Sequence, residues 1–188
     1  YAYDGSGIFV YNGESILKSI AAPYTSINQL TGDSFGNLFA ATENGLYVYS
    51  AANGGSSTWL PVANVTGVVN AVQANNANGQ DVLYLTIESS GVESCVYTSN
   101  NQSCSTTLIS NGSGYNNAAL SYNESTNALY WAANNNVFVE SAGVLTQFNV
   151  IGNITPPNGP LALDPLGFVY AASTGSSYPA AVYANLES

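Results

Sequence analysis

Carboxylates are the side chains of this sequence whose chemistry could support hydrolysis. The 188 residues include 11 Asp and Glu but one Lys, Lys18, and no Arg or His. Glycoside hydrolases use two carboxylates, one as acid and one as base or nucleophile. The candidates for such a pair are Asp81, Glu88, Glu93, Glu124, Glu140 and Asp164. Because none of them lies in a recognisable motif, we expect ordinary solvated carboxylates, no catalytic residues and a protein that is not an enzyme.

Other kinds of chemistry lack the residues that they need. Without His there is no Ser–His or Cys–His couple, and a sialidase would need carboxylate-binding arginines. Asp4 and Asp33 are candidates for a calcium site, but neither belongs to a full set of oxygen ligands at regular spacing. Asp33 and Asn37 fit better as residues that cap a turn. We therefore expect no metal and no cofactor.

Cys95 and Cys104 flank a predicted hairpin turn in the segment SCVYTSNNQSC. Cysteines on neighbouring strands can reach disulfide distance, whereas two Cys without any His do not form a zinc site. We expect a disulfide between them, with free thiols as the alternative. A disulfide indicates an oxidising compartment.

Several asparagines lie in the acceptor pattern for N-linked glycans, about as many as chance predicts, so their placement is the stronger argument. They fall in predicted loops or at strand ends, where a bulky glycan is tolerated. Asn153 is the weakest, because Pro156 follows its Thr155. We expect N-linked glycans at Asn64, Asn101, Asn111, Asn123 and Asn153.

The charge balance indicates an extracellular protein. Only 6% of the residues are charged, against about 25% in ordinary domains, and the net charge is −10. Such a chain repels nucleic acid and anionic lipid, and no apolar run is long enough to span a membrane. In acid only Lys18 and the terminal amino group stay charged, which fits either an acidic habitat or a weakly charged secreted surface. The start at Tyr1 without Met predicts a processed or excised product.

Short apolar strands separated by turn residues recur along the chain. Four segments match one another and are each followed by a turn and a second strand: NLFAAT (37–42), VLYLTI (82–87), ALYWAA (128–133) and FVYAAS (168–173). The second strands are GLYVYS (45–50), SCVYTS (94–99), NVFVES (136–141) and AAVYAN (180–185). In one of the turns, Asn44-Gly45 suits a hairpin with positive φ at both positions. With flanking strands the unit has four strands in about 40–47 residues.

The motif D-x-x-G-N-L-F-A-A-T-x-N-G-L-Y-V-Y, residues 33–49, resembles the repeats of two-component-regulator and NHL-type β-propellers. The resemblance implies an all-β fold of antiparallel four-stranded, propeller-like repeats, incomplete at both termini. A sandwich or an open solenoid is the alternative. We expect a single domain over residues 1–188, with repeats at about 1–26, 27–67, 68–115, 116–156 and 157–188.

The incomplete repeats predict assembly through shared strands. YAYDGSGIFVYN aligns with FAATENGLYVYS, so the chain starts at the second strand of a repeat and ends at the third strand of another. The alternatives are a wrong alignment of one end and a chain cut from a larger propeller. Open edges pair with other chains, so we expect a homo-oligomer or filament, with the donated strand near residues 1–22 or 168–188. The predicted assembly residues are Tyr1, Tyr3, Ile8, Phe9, Val10 and Tyr11.

Aromatic residues support a second interpretation, a lectin-like domain that binds surface glycans. The chain has 14 Tyr and two Trp, Trp59 and Trp131, and aromatic faces stack on sugars. Packing between sheets is the alternative use of these rings. The composition is similar to that of surface proteins of thermophilic acidophiles, including archaeal ones. The sequence thus predicts a secreted, glycosylated, non-enzymatic protein of a cell-surface filament or coat.

Overall fold

The computed structural model describes residues 1–5, 7–50, 58–75, 81–111, 119–133, 136–149, 161–163 and 169–171. These residues form β-strands, turns and connections, and they contain no helix that could cross a membrane. Every strand pairs antiparallel with its neighbours in five separate sheets. The expected all-β fold with four-stranded antiparallel sheets is therefore confirmed.

The first and second sheets are built from the first third of the chain. The first has three strands, β1 (Ala2–Tyr3), β2 (Gly7–Asn12) and β3 (Ser15–Ala21). The second has four, β4 (Gln29–Gly32), β5 (Asn37–Thr42), β6 (Gly45–Ser50) and β7 (Leu60–Pro61).

The remaining sheets repeat this pattern. The third sheet contains β8 (Val69–Asn75), β9 (Val82–Ile87), β10 (Gly91–Thr98) and β11 (Ser103–Asn111). The fourth contains β12 (Leu120–Asn123), β13 (Ala128–Ala133), β14 (Asn136–Ser141) and β15 (Val144–Asn149). The fifth pairs β16 (Leu161–Leu163) with β17 (Val169–Ala171). The predicted strand at 180–185 lies outside the described residues.

Burial differs between the strands of one sheet. All six residues of β5 and all six of β13 are buried, because these strands pack against sheets on both faces. The fourth strands are mostly exposed, as are the residues of β3 before Ile20. This gradient explains why the second strands are almost continuously apolar and the outer strands are not.

Apolar side chains fill the space between each pair of successive sheets. Four separate clusters of buried residues join the first sheet to the second, the second to the third, the third to the fourth and the fourth to the fifth. The first strands β4, β8, β12 and β16 also contact one another in that order. The sheets are therefore stacked face to face in chain order, with their first strands along one side.

Candidate functional site

The free edge of the first sheet contains most of the predicted assembly residues. The two residues of β1 pair only with Ile8 and Phe9, although β2 continues to Asn12. Beyond Phe9, the described part of β2 pairs with β3 alone, and the register of that pairing shifts between Val10 and Tyr11. Such an incomplete edge leaves backbone groups available for another strand.

The predicted assembly residues differ in how accessible they are. Tyr1 is 60% exposed and its ring packs against the backbone of Gly32 in β4. Tyr11 is 43% exposed. Tyr3, Phe9 and Val10 are half-buried.

Ile8 differs from the other predicted assembly residues because its side chain is buried. Its side chain is 0% exposed and packs with Ile20, Leu38 and Tyr49 in the cluster between the first and second sheets. Alternation along β2 directs Ile8 inward, so its side chain cannot touch a second chain in this arrangement. Its role is to join two sheets of the same chain.

Cys95 and Cys104 are joined by a disulfide between β10 and β11, with their Cα atoms 5.3 Å apart. The second cysteine also anchors the connection from the second sheet to the third. The backbone N–H of Cys104 donates to the carbonyl of Ala63 over 3.0 Å, and Nδ2 of Asn64 donates to the carbonyl of Cys104 over 3.2 Å. The crosslinked hairpin therefore fixes the chain segment that enters the third sheet.

The sequon asparagines lie in unequal environments. Asn64, Asn101 and Asn111 are exposed, although Nδ2 of Asn64 is used in the bond to Cys104. Asn123 ends β12 as expected, but only 8% of it is exposed. Its Oδ1 accepts three bonds from Ser125 and Thr126, and its Nδ2 is buried. Asn153 lies outside the described residues.

Glycosylation is expected to follow this difference in exposure. In native material, glycopeptides should show glycans on Asn101 and Asn111 and none on Asn123, because a glycan on a buried Nδ2 would open the turn after β12. Peptide mass spectrometry before and after enzymatic release of N-glycans measures this. A glycan on Asn123, or bare Asn101 and Asn111, would contradict the expectation.

Aromatic residues gather where the first and second sheets meet. The rings of Tyr24 and Tyr47 pack edge to face with centroids 5.0 Å apart, and their hydroxyl groups share a 2.8 Å hydrogen bond. This bond, together with burial, raises the pKa of Tyr47 to about 12. Trp59 is half-buried and donates from Nε1 to the carbonyl of Ala21 over 2.7 Å.

Trp131 is not available to a sugar. Its side chain is 0% exposed and lies in the cluster between the third and fourth sheets, stacked on Phe138 with a 5.6 Å centroid separation. The interpretation as packing between sheets therefore applies to Trp131, whereas Tyr24, Tyr47 and Trp59 retain accessible surface.

The candidate catalytic carboxylates are scattered. Glu88 and Glu124 are exposed. Glu93 accepts a hydrogen bond from Ser90, and Glu140 accepts one from the backbone of Gly143. Among the described residues no group of three or more Cys, Asp and Glu is placed to hold a metal ion, and Asp164 lies outside them.

A carboxyl pair does form between Asp81 and Asp33, a residue that the sequence indicated as a turn cap and, less well, as a candidate for a calcium site. Asp33 follows β4 and caps its turn, accepting from the N–H groups of Phe35 and Asn37 over 2.9 and 2.7 Å. Asp81 precedes β9 and lies within hydrogen-bonding reach of Asp33. Nothing in the local pattern around either residue predicts the pair.

The environment of this pair favours a proton. Burial raises the pKa of Asp81 from its ordinary 3.8 to about 7, and the hydrogen bond and negative charge of Asp33 act in the same direction. A hydrogen bond from Asn37 acts in the opposite direction. Burial, with the charges of Asp33 and Asp81, also raises the pKa of Tyr97 to about 12.

Comparison with known proteins identifies the fold. No protein-family model and no curated protein matches the chain. The structure is similar to the extracellular domain of the proposed one-component system BT4673 from B. thetaiotaomicron, with a TM-score of 0.56 and 15% identity. The similarity covers 94% of this chain and 24% of that one. The chain thus spans about a quarter of its neighbour's length, and the similarity establishes the fold alone.

A second neighbour is the extracellular domain of the proposed hybrid two-component system BT3049 from the same organism. Its TM-score is 0.40 and its identity 14%, over 90% of this chain and 28% of that chain. This weaker similarity adds nothing to the fold assignment.

Proposed function

We propose that this protein is a non-enzymatic, extracellular structural subunit that assembles with copies of itself by sharing β-strands, as in a surface filament or coat. The observation that carries the proposal is the incomplete first sheet, in which β1 pairs with only two residues of β2. A strand from a second copy would extend the pairing on this edge. A head-to-tail contact that does not close produces a filament.

The sheet arrangement supports a propeller-like unit. Three successive sheets each have four strands in simple meander order, and the first strands contact one another from sheet to sheet. Propeller blades have this strand count and order. The motif at 33–49 agrees with it. In the described part of the chain the first sheet has three strands, one fewer than the three sheets that follow it.

The low charge of the chain suits close packing between copies. Few charged groups would need to lose water at a contact, a step that is costly for ions. The disulfide, together with the extracellular domains among the structural neighbours, supports a location outside the cell.

Changing Tyr11 tests the proposed contact. We expect Tyr11→Lys to lower the assembled fraction about tenfold, which corresponds to about 1.4 kcal/mol at the contact, because a charge would be placed beside the completed edge. Phe35→Lys is the matched control, since Phe35 is a 53% exposed aromatic residue in the β4–β5 turn of the second sheet. Sedimentation velocity measures the assembled fraction.

Equal assembly of both variants and the wild type would place the contact elsewhere. Loss of assembly in both variants would show a nonspecific effect of the added charge. Either result would overturn the role proposed for the first sheet.

Glycan binding is the second candidate function, and the Tyr24–Tyr47 pair favours it. These rings are partly exposed, lie close together and carry hydroxyl groups at their rims, as a sugar-stacking surface requires. A glycan array with the wild type and Tyr24→Ala tests this function. Binding that Tyr24→Ala abolishes would support it, and no binding by the wild type would remove it.

A further inference from the structure

Asp33 and Asp81 connect two sheets through their side chains. Asp33 belongs to the β4–β5 turn of the second sheet, and Asp81 precedes β9 of the third. The backbone carbonyl of Asp81 accepts from the N–H of Tyr97 over 2.9 Å, which fixes Asp81 to the neighbouring strand β10. The ring of Tyr97 packs edge to face on Phe39 of the second sheet with a 5.0 Å centroid separation. The carboxyl pair therefore lies at the rim of the largest inter-sheet core.

The two carboxyl groups are not equivalent. Asp33 already accepts from the backbone N–H groups of Phe35 and Asn37 and from Nδ2 of Asn37 over 2.5 Å. In contrast, Oδ1 of Asp81 is buried and finds no donor among the described residues. An unpartnered buried carboxylate oxygen is costly unless it binds a proton.

We propose that Asp81 is a proton-binding site that fastens the second sheet to the third. In its protonated form the Asp81 hydroxyl donates to the carboxylate of Asp33. Loss of the proton leaves two negative charges in contact at the sheet interface, and the interface is weakened. This proposal does not depend on whether the protein assembles.

Among the described residues, no positively charged side chain is placed to neutralise Asp81, so a proton takes that role. The negative charge of Asp33 raises the pKa of Asp81. Tyr97, which is near both carboxyl groups, has a pKa of about 12 and is therefore neutral. Residues 76–80, which precede Asp81, contain no ionisable side chain. The single Lys of the sequence, Lys18, donates to the hydroxyl of Tyr49 over 2.7 Å, at the interface between the first and second sheets.

The direction of the pH effect follows from the raised pKa of Asp81. Its value of about 7 in the folded chain exceeds the ordinary 3.8, so the folded state binds this proton more tightly than the unfolded state. The stabilisation is complete below about pH 4 and is lost as the pH rises through about 7. Most proteins are destabilised by acid in this range because their carboxylates behave in the opposite way.

Thermal unfolding at about pH 5 and about pH 8 tests the proposal, in buffers with a chelator of divalent metal ions. We expect the Tm of the wild type to be about 2–4 °C higher at the lower pH, the size of effect that a partly exposed pair produces in a chain of this length. Asp81→Asn keeps a donor toward Asp33 but has no proton to lose, so it should remove most of this difference. Glu88→Gln, an exposed carboxylate beside the same sheet, should keep it.

A carboxyl NMR titration of the wild type gives a second readout that needs no variant to fold. The Asp81 resonance, assigned by its absence in Asp81→Asn or by backbone connectivity, should titrate near pH 7. Titration below about pH 5, or an undiminished pH dependence of Tm in Asp81→Asn, would overturn the proposal.

Discussion

Replacing Phe39 with Ala is expected to lower the free energy of unfolding by about 3–5 kcal/mol. Phe39 is the central aromatic residue of β5 and is 0% exposed. It packs edge to face on Tyr97, so its removal opens a cavity between the second and third sheets. Denaturant unfolding followed by circular dichroism measures the loss.

Phe35→Ala is the control for this measurement. It deletes the same side chain from an exposed turn in the same sheet, where substitutions change stability by about 0.5 kcal/mol or less. Losses of similar size in the two variants would contradict the stacking of the second and third sheets.

Replacing Trp131 with Ala is expected to cost about 3–5 kcal/mol as well. Trp131 fills the cluster between the third and fourth sheets and stacks on Phe138. Its indole N–H is buried without a hydrogen-bond partner among the described residues, so the ring contributes by packing alone. Denaturant titrations of wild type and variant measure the difference.

Trp131→Phe separates packing from polarity. It keeps an aromatic ring and removes the unpaired N–H, so we expect less than half of the loss seen with Ala. An equal loss in both variants would mean that the N–H makes an essential hydrogen bond. In a single domain, each variant would also shift one cooperative unfolding transition.

Local sequence pattern predicted the strands well. The segments NLFAAT, GLYVYS, VLYLTI, ALYWAA and NVFVES coincide with β5, β6, β9, β13 and β14. These strands are apolar runs bounded by Gly, Asn or polar turn residues, which is the strongest signal that a β-strand gives. The alignment of YAYDGSGIFVYN with FAATENGLYVYS likewise located β1 and β2.

Turn geometry was predicted less accurately. Asn44-Gly45 suggested positive φ at two central positions, but Thr42 pairs with Gly45 and the loop consists of Glu43 and Asn44. Only Gly45 has positive φ, at 123°. Thr42 takes part in this turn, because its hydroxyl accepts from the N–H of Asn44 and donates to the carbonyl of Gly45. That side-chain contribution is absent from the dipeptide pattern.

Contacts between sheets were not predictable from the sequence. The burial of Ile8 and Trp131 depends on which sheet covers each strand. The pairing of Asp33 with Asp81 depends on the offset of two stacked sheets. Strand periodicity specifies which residues share a face of a strand, but it does not specify which sheet packs against that face. These contacts could therefore be identified only in the structure.

Electron cryomicroscopy of native, undenatured material tests the central claim most directly. Our account predicts regular assemblies in which a strand from a neighbouring copy pairs along the free edge of the first sheet, beside β1 and β2. Discrete single chains, or a first sheet completed by residues of its own chain, would contradict it.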